Sequence, residues 1–176
     1  MEGSIMEVIE LAAHLMALSA RTAPKAAGKD FIETKVITGE DLIRLKEDMM
    51  KYGEEFGKKN FDRDAKNVAS SSAVLLISLN KPEKVGLNCG ACGYNLCTNL
   101  RDFREGTEFA GPICAWRLID LGIAVGSAVK TASILNVDNR IMYRIGVSAR
   151  RLKLIEGEIV IGIPLSATGK NIYFDR

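Results

Sequence analysis

The chain has 176 residues, of which 47% are hydrophobic and 26% charged, and its net charge is +2. That length suits one domain with a small insert, and that hydrophobic share can fill a core. So slight a positive balance, with few aromatic residues and no basic stripe, gives nucleic-acid binding no electrostatic support, and no apolar run approaches the roughly 20 residues that cross a bilayer.

The first residues, MEGSIMEVIELAAHLMAL, carry Glu2, Glu7 and Glu10 and lack the basic start of a signal peptide. A cytoplasmic, reducing setting is expected, where clustered cysteines read as metal or redox ligands. Ser4 and Glu7 have capping-box spacing, and Ile5, Val8, Ile9, Ala12, Leu15 and Met16 recur at helical period, predicting a helix over about 4–20. RTAPKAAGKD, 21–30, reads as a loop through Pro24 and Gly28. TKVIT, 34–38, reads as a strand. Thr38, partnered by Asp41, is expected to cap a helix with Leu42, Leu45 and Met49 on one face. Gly53 and Gly57 interrupt it before the charged stretch KKNFDRDAKN. AVLLISL, 73–79, is a short apolar run between SSS and NKP, and reads as a buried central strand. Residues 115–121 read as helix, and 122–127 as its continuation or a short strand. Asp138 is expected to cap a helix with Ile141, Met142, Ile145, Ala149 and Leu152 inward. Its basic end, Arg150, Arg151 and Lys153, suits the helix dipole. Residues 158–163 read as the last strand.

Between the central strand and the helix at 115 lie the chain's four cysteines, Cys89, Cys92, Cys97 and Cys114, spaced C-x2-C-x4-C-x16-C. Thiolates grouped in this way point to a metal centre. An iron–sulfur cluster needs several thiolates, and Cys-x2-Cys supplies two from one turn. Gly90 and Gly93 allow that turn to be tight. Cys97 and Cys114 each precede a segment expected to be helical, whose N–H groups would face an anionic cluster. Structural zinc is the alternative, although its sites usually pair two tight knuckles, and disulfides are a third reading. The one histidine, His14, lies far away in sequence and reads as an ordinary packed or surface residue. Trp116 reads as a core residue of the helix that follows Cys114. SATGK lacks the glycine interval and following helix of a phosphate-binding loop.

The segment NCGACG with Cys97 and Cys114 resembles the small 4Fe–4S domain of the Rnf-type electron-transport ferredoxin subunit and of corrinoid iron–sulfur proteins. That resemblance implies one 4Fe–4S cluster on Cys89, Cys92, Cys97 and Cys114. Ala115 stands where a proline often follows the last ligand.

The remainder resembles the FMN-dependent nitroreductase fold. RTAPKAAGKDFIETKVITGEDL is similar to its APSxxNxQPW loop, strand and capped helix. DLGIAVGSAVK is similar to its A-x-x-LGLGS segment, and EIVIGIPLSATGK to its last strand. The whole, ending PLSATGKNIYFDR, resembles ferredoxin-domain proteins of unassigned function. The resemblance implies an α+β fold, nitroreductase-like helices around a small mixed β-sheet, with a cysteine-rich 4Fe–4S insert. The scaffold would be 1–85 and 115–176, and the cluster-binding segment 86–114. It also implies FMN at a homodimer interface. The arginine-rich segment that normally meets the FMN phosphate is not recognisable, while Lys25, Gly28 and Asp30 replace that family's serine, asparagine and glutamine. Candidate replacements are Arg21, Lys25, Lys170 and Arg176 for the phosphate, with the backbone of Gly126 and Ser127 near the ring. The expectation is an iron–sulfur redox protein in cytoplasmic electron transfer, serving a redox partner protein or a small organic acceptor, either as an FMN-dependent reductase or as a flavin-free carrier or sensor.

Overall fold

In the computed structural model, which describes residues 2–174, a four-stranded sheet separates two helical layers. The first helix, α1 (Glu2–Thr22), is followed by a 3-10 turn at Ala26–Gly28, β1 (Ile32–Ile37), α2 (Glu40–Glu55), α3 (Phe61–Ala69) and β2 (Ala73–Leu79). A long excursion holds β3 (Arg104–Glu105) and β4 (Ala110–Gly111). Then come α4 (Ala115–Ile134), β5 (Asp138–Asn139), α5 (Tyr143–Arg151) and β6 (Ile159–Ser166).

The main sheet has the order β1-β2-β6-β5. Each of its described pairings is antiparallel, so the sheet is not mixed as expected. β2 is a central strand whose residues are all buried. Its continuous apolar sequence reflects cover on both faces rather than parallel pairing. Alternation divides it: Ala73, Leu75, Ile77 and Leu79 pack toward α1 and α4, while Val74 and Leu76 pack toward α2, α3 and α5. Against β6, α5 comes so close that a Cβ on Gly146 would lie 1.7 Å from the Val160 carbonyl oxygen.

Several local expectations change. In α1 the buried residues are Ile9, Ala12, Ala13, Met16 and Ala20, whereas Ile5, Val8 and Leu15 are exposed. The small alanines let α1 lie close on α4, where Ser19 and Thr131 hydroxyls meet at 2.6 Å. Val8, Leu11, Leu15 and Leu18 are left outside. Ser4 lies within the helical backbone of α1 rather than at its cap, and its side chain is outside the described set. Gly39, not Thr38, is the N-cap of α2, and Asp41 pairs with Arg44 instead. The charged stretch after Gly57 forms α3, because Phe61, Ala65 and Val68 recur at helical spacing and are buried. α4 is one continuous helix through Gly122 and Gly126. Asp138 enters a short strand, and the next helix begins at Tyr143; Ile141 is exposed while Met142 bridges to Gly162.

The excursion from 80 to 114 crosses the end of the sheet. It leaves β2, turns through a 3-10 segment at Cys97–Asn99, forms the β3–β4 hairpin and re-enters the scaffold as α4. The helix expected after Cys97 stops at that single turn, because Arg104 and Glu105 are taken into the hairpin with Ala110 and Gly111. The hairpin is tied down on one side: Ala110 N–H donates to the Glu158 carbonyl at 2.9 Å, and Arg150 holds Glu105 through two bonds of 2.6 and 2.8 Å.

Candidate metal centre

All four cysteines line one small apolar cleft with Leu87, Tyr94 and Trp116. The backbone explains how three of them reach it. Asn88, Gly90 and Gly93 adopt φ of 51°, 77° and 86°, a left-handed series that wraps the chain around the space between them. A Cβ at Gly90 or Gly93 would touch nothing, so conformation rather than crowding requires glycine there. The fourth thiol, Cys114, is buried and is the N-cap of α4, with its carbonyl accepting the Arg117 N–H at 2.9 Å. The first-turn N–H groups and positive dipole end of a twenty-residue helix therefore lie beside it.

Hydrogen bonds reach two of the sulfurs. Asn88 makes a reciprocal pair with Cys97: its N–H donates to Cys97 Sγ at 3.3 Å, and its Oδ1 accepts the Cys97 N–H at 2.8 Å. The Trp116 indole N–H donates to Cys89 Sγ at 3.2 Å. The Ala91 backbone N–H, followed by that indole N–H, holds the Cys89 thiol below its ordinary range, since both favour the thiolate. The expectation that Trp116 is a core residue is thus corrected. It is 37% exposed, because Arg117 occupies the adjacent buried position. Four thiols, tight glycine turns and N–H donors aimed at sulfur are a donor set of the kind that 4Fe–4S clusters take. Among the described residues, no three Cys, His, Asp or Glu side chains converge as ligands to a single ion. A cubane cluster spreads its thiolates over separate irons and needs no such convergence.

Sequence reasoning missed the device that anchors this segment. Arg117 is fully buried; its Nε donates to the Glu83 carbonyl at 2.9 Å, and its Nη1 to Ala26 and Lys29 carbonyls and to Asp120 Oδ2 at 2.9, 3.2 and 2.9 Å. The guanidinium lies 4.7 Å over the Phe31 ring. Asp120 Oδ1 accepts the Ala26 N–H at 2.8 Å. An arginine and an aspartate three apart, directly after the last cysteine, were the available signal.

The described residues expected to hold a flavin lie on α1, the loop after it, α4 and the stretch after β6. Arg21 pairs with Asp30 at 3.0 Å and donates to the Ile32 carbonyl. Lys25 has a side chain only 5% exposed, and its ammonium bonds to the Ala20 and Arg21 carbonyls. Gly126 and Ser127 lie inside α4, with their N–H groups within the helical ladder. Lys170 is exposed on a tail anchored by buried Tyr173, and Arg176 lies outside the described residues. Among these described side chains, Arg21 and Lys25 are held by Asp30 and by backbone carbonyls. His14 is exposed on α1. Among the described residues no helix is long and apolar enough to cross a membrane.

Residues 110–176 match the family described as uncharacterized proteins containing a ferredoxin domain, a stretch that includes Cys114 but not the other three cysteines. An "Uncharacterized protein" of Archaeoglobus fulgidus is 48% identical over 171 residues, covering 97% of this chain and 92% of that one. The two chains belong to one family. Its fold is nitroreductase-like. A nitroreductase with bound FMN from Desulfitobacterium hafniense superposes with a TM-score of 0.60 at 12% identity, over 92% of this chain and 79% of the other. An FMN-dependent nitroreductase from Mycobacterium smegmatis gives 0.57 at 12% identity, over 93% and 81%. A BluB-like flavoprotein from Clostridium difficile gives 0.52 at 14% identity, over 89% and 78%.

Proposed function

We propose that this chain is an iron–sulfur redox protein that carries one 4Fe–4S cluster on Cys89, Cys92, Cys97 and Cys114 and passes single electrons in the cytoplasm. The observation that carries this reading is the meeting of four thiols in one cleft with N–H donors on two of the sulfurs. The cluster, when bound, supplies one-electron transfer at a potential set by hydrogen bonds to sulfur and by exposure. The chain's own part is to hold thiolates ready. Glycine turns place Cys89 and Cys92, Asn88 fixes Cys97, and the N-terminus of α4 stabilises negative charge near Cys114. On this reading residues 86–114 are the cluster-binding segment and 1–85 with 115–176 the scaffold, and the donor set follows the Rnf-type spacing.

A homodimer is part of the same proposal. Val8, Leu11, Leu15 and Leu18 stand exposed along the outer face of α1 at intervals of three, four and three, a coiled-coil-like stripe. Exposed Leu118, Ile119 and Ile123 lie on α4, which packs beside α1. An apolar surface of this extent is the kind a second copy covers.

An FMN-dependent reductase is the second reading, and fold likeness is what favours it. One experiment separates these. The protein is purified without oxygen, and iron, sulfide, zinc and flavin are measured on one sample. About four irons and four sulfides per chain, a broad brown band and no flavin are expected. One flavin per chain beside the cluster would establish the reductase reading. A colourless protein with one zinc per chain would overturn both and leave a structural metal site.

A further inference from the structure

The outer wall of the cysteine cleft is a side chain chosen by sequence rather than by the turn geometry. Two N–H donors to sulfur, those of Asn88 and Ala91, belong to the backbone and come with the way the chain wraps. The third is the indole of Trp116 in the first turn of α4. Its neighbour Arg117 takes the buried position, so the ring stays over the cysteines, partly in solvent, with its N–H turned inward to Cys89 Sγ. The ring donates a hydrogen bond to a sulfur that itself remains exposed.

Resting on the cluster reading above, we propose that Trp116 sets the reduction potential of the cluster by donating its indole N–H to the Cys89 thiolate. When the cluster accepts one electron from an external reductant, its charge becomes more negative by one and no bond to Trp116 forms or breaks. The indole proton stays on nitrogen in both states. A hydrogen bond to an anion strengthens with its charge, so this donor stabilises the reduced state more than the oxidised one and raises the potential. Trp116→Phe keeps an aromatic ring at this position and removes the donor, which isolates the hydrogen bond.

The test is a dithionite titration, with redox mediators, of the anaerobic cluster-loaded protein and its Trp116→Phe variant, with iron and sulfide measured on each. At a fixed potential near the wild-type midpoint, the variant should show a reduced-to-oxidised ratio lower by about three- to tenfold, and tenfold corresponds to about 59 mV for one electron. A ring with a merely structural role would leave the midpoint unmoved, and equal midpoints at equal cluster content overturn the proposal. If Trp116→Phe fails to hold a cluster, the wild-type protein still decides. Trp116 is the only tryptophan in the chain, so tryptophan labelled with nitrogen-15 in its indole ring places one indole label in the molecule. A hyperfine coupling from that nitrogen to the reduced, paramagnetic cluster supports the bond, and its absence overturns it. Wild-type protein that takes up no iron and sulfide under these conditions removes the cluster reading and this one together. A full cluster with an unmoved midpoint removes only this one.

Discussion

Replacing Arg117 by methionine keeps most of the side chain's volume and removes its charge and donors. The structure fixes what is then exposed to loss. Asp120 keeps a single described partner, the Ala26 N–H at 2.8 Å, and becomes a buried carboxylate without a counter-charge. The Glu83, Ala26 and Lys29 carbonyls each lose a charged donor. Breaking one side of a buried ion pair costs about 3–5 kcal/mol. The Nη2 of Arg117 finds no partner among the described groups, a desolvation cost of about 1–3 kcal/mol that already lowers the worth of the native pair. The lower half of the range, about 3–4 kcal/mol, is therefore expected. For a chain of this size that lowers the melting temperature by about 6–16 °C, at about 2–4 °C per kcal/mol. Urea unfolding of the metal-free protein measures it. The double change Arg117→Met with Asp120→Leu removes both charges and should be more stable than the single one, since apolar replacement of a buried pair is often neutral or better. A single variant that loses less than about 1 kcal/mol, or a double variant weaker than the single, would refute the argument that this pair is a buried, mutually dependent clamp.

The remaining expectations concern the cysteine segment. Cys92→Ser should sharply reduce bound iron and the brown absorbance, because oxygen is a poor substitute for thiolate on these irons; an unchanged iron content would remove Cys92 from the ligand set. Asn88→Ala loses the acceptor for the Cys97 N–H and places alanine at φ of 51°, whereas Asn88→Asp keeps the acceptor. Cluster loss in air should be tens of times faster in the alanine variant alone, from about 1 kcal/mol of lost hydrogen bond plus about 1–2 kcal/mol of backbone strain. Arg150 holds the Glu105 carboxyl below the usual range, mainly through its hydrogen bonds. That tie is complete above the ordinary glutamate value near about 4.3 and is lost as pH falls through the lowered one. Amide protection across 104–111, corrected for intrinsic exchange, should therefore drop on acidification, and Arg150→Ala should show the loose hairpin already at neutral pH. Equal protection in both proteins at neutral pH would show that the pair does not hold the hairpin.

How much of this was legible in the sequence depended on whether a signal was local. The cysteine spacing, the central strand at 73–79 and the inward residues Leu42, Leu45 and Met49 were read directly, because period or spacing alone determines them. α3 was hidden because Asp62, Arg63, Asp64 and Lys66 mask a three-residue apolar stripe. The solvent side of α1 could not be told from its core side. Both carry apolar residues, and which faces inward is settled by alanines meeting α4. Trp116 lies outside the core, against expectation, for a related reason. A buried guanidinium is stable only where distant carbonyls converge on it, and nothing near Arg117 in sequence announces Ala26, Lys29 or Glu83.

The fourth cysteine differs in kind from the other three. Cys89, Cys92 and Cys97 belong to an excursion with little regular structure, whereas Cys114 begins a helix that is part of the core. Three of the cysteines therefore ride on the excursion, and one is fixed in the core. To move the excursion onto another protein, an engineer would need a sheet end, a helix starting with cysteine and an arginine three residues on to grip the incoming chain at a position such as Glu83. The other three thiols would travel with the loop.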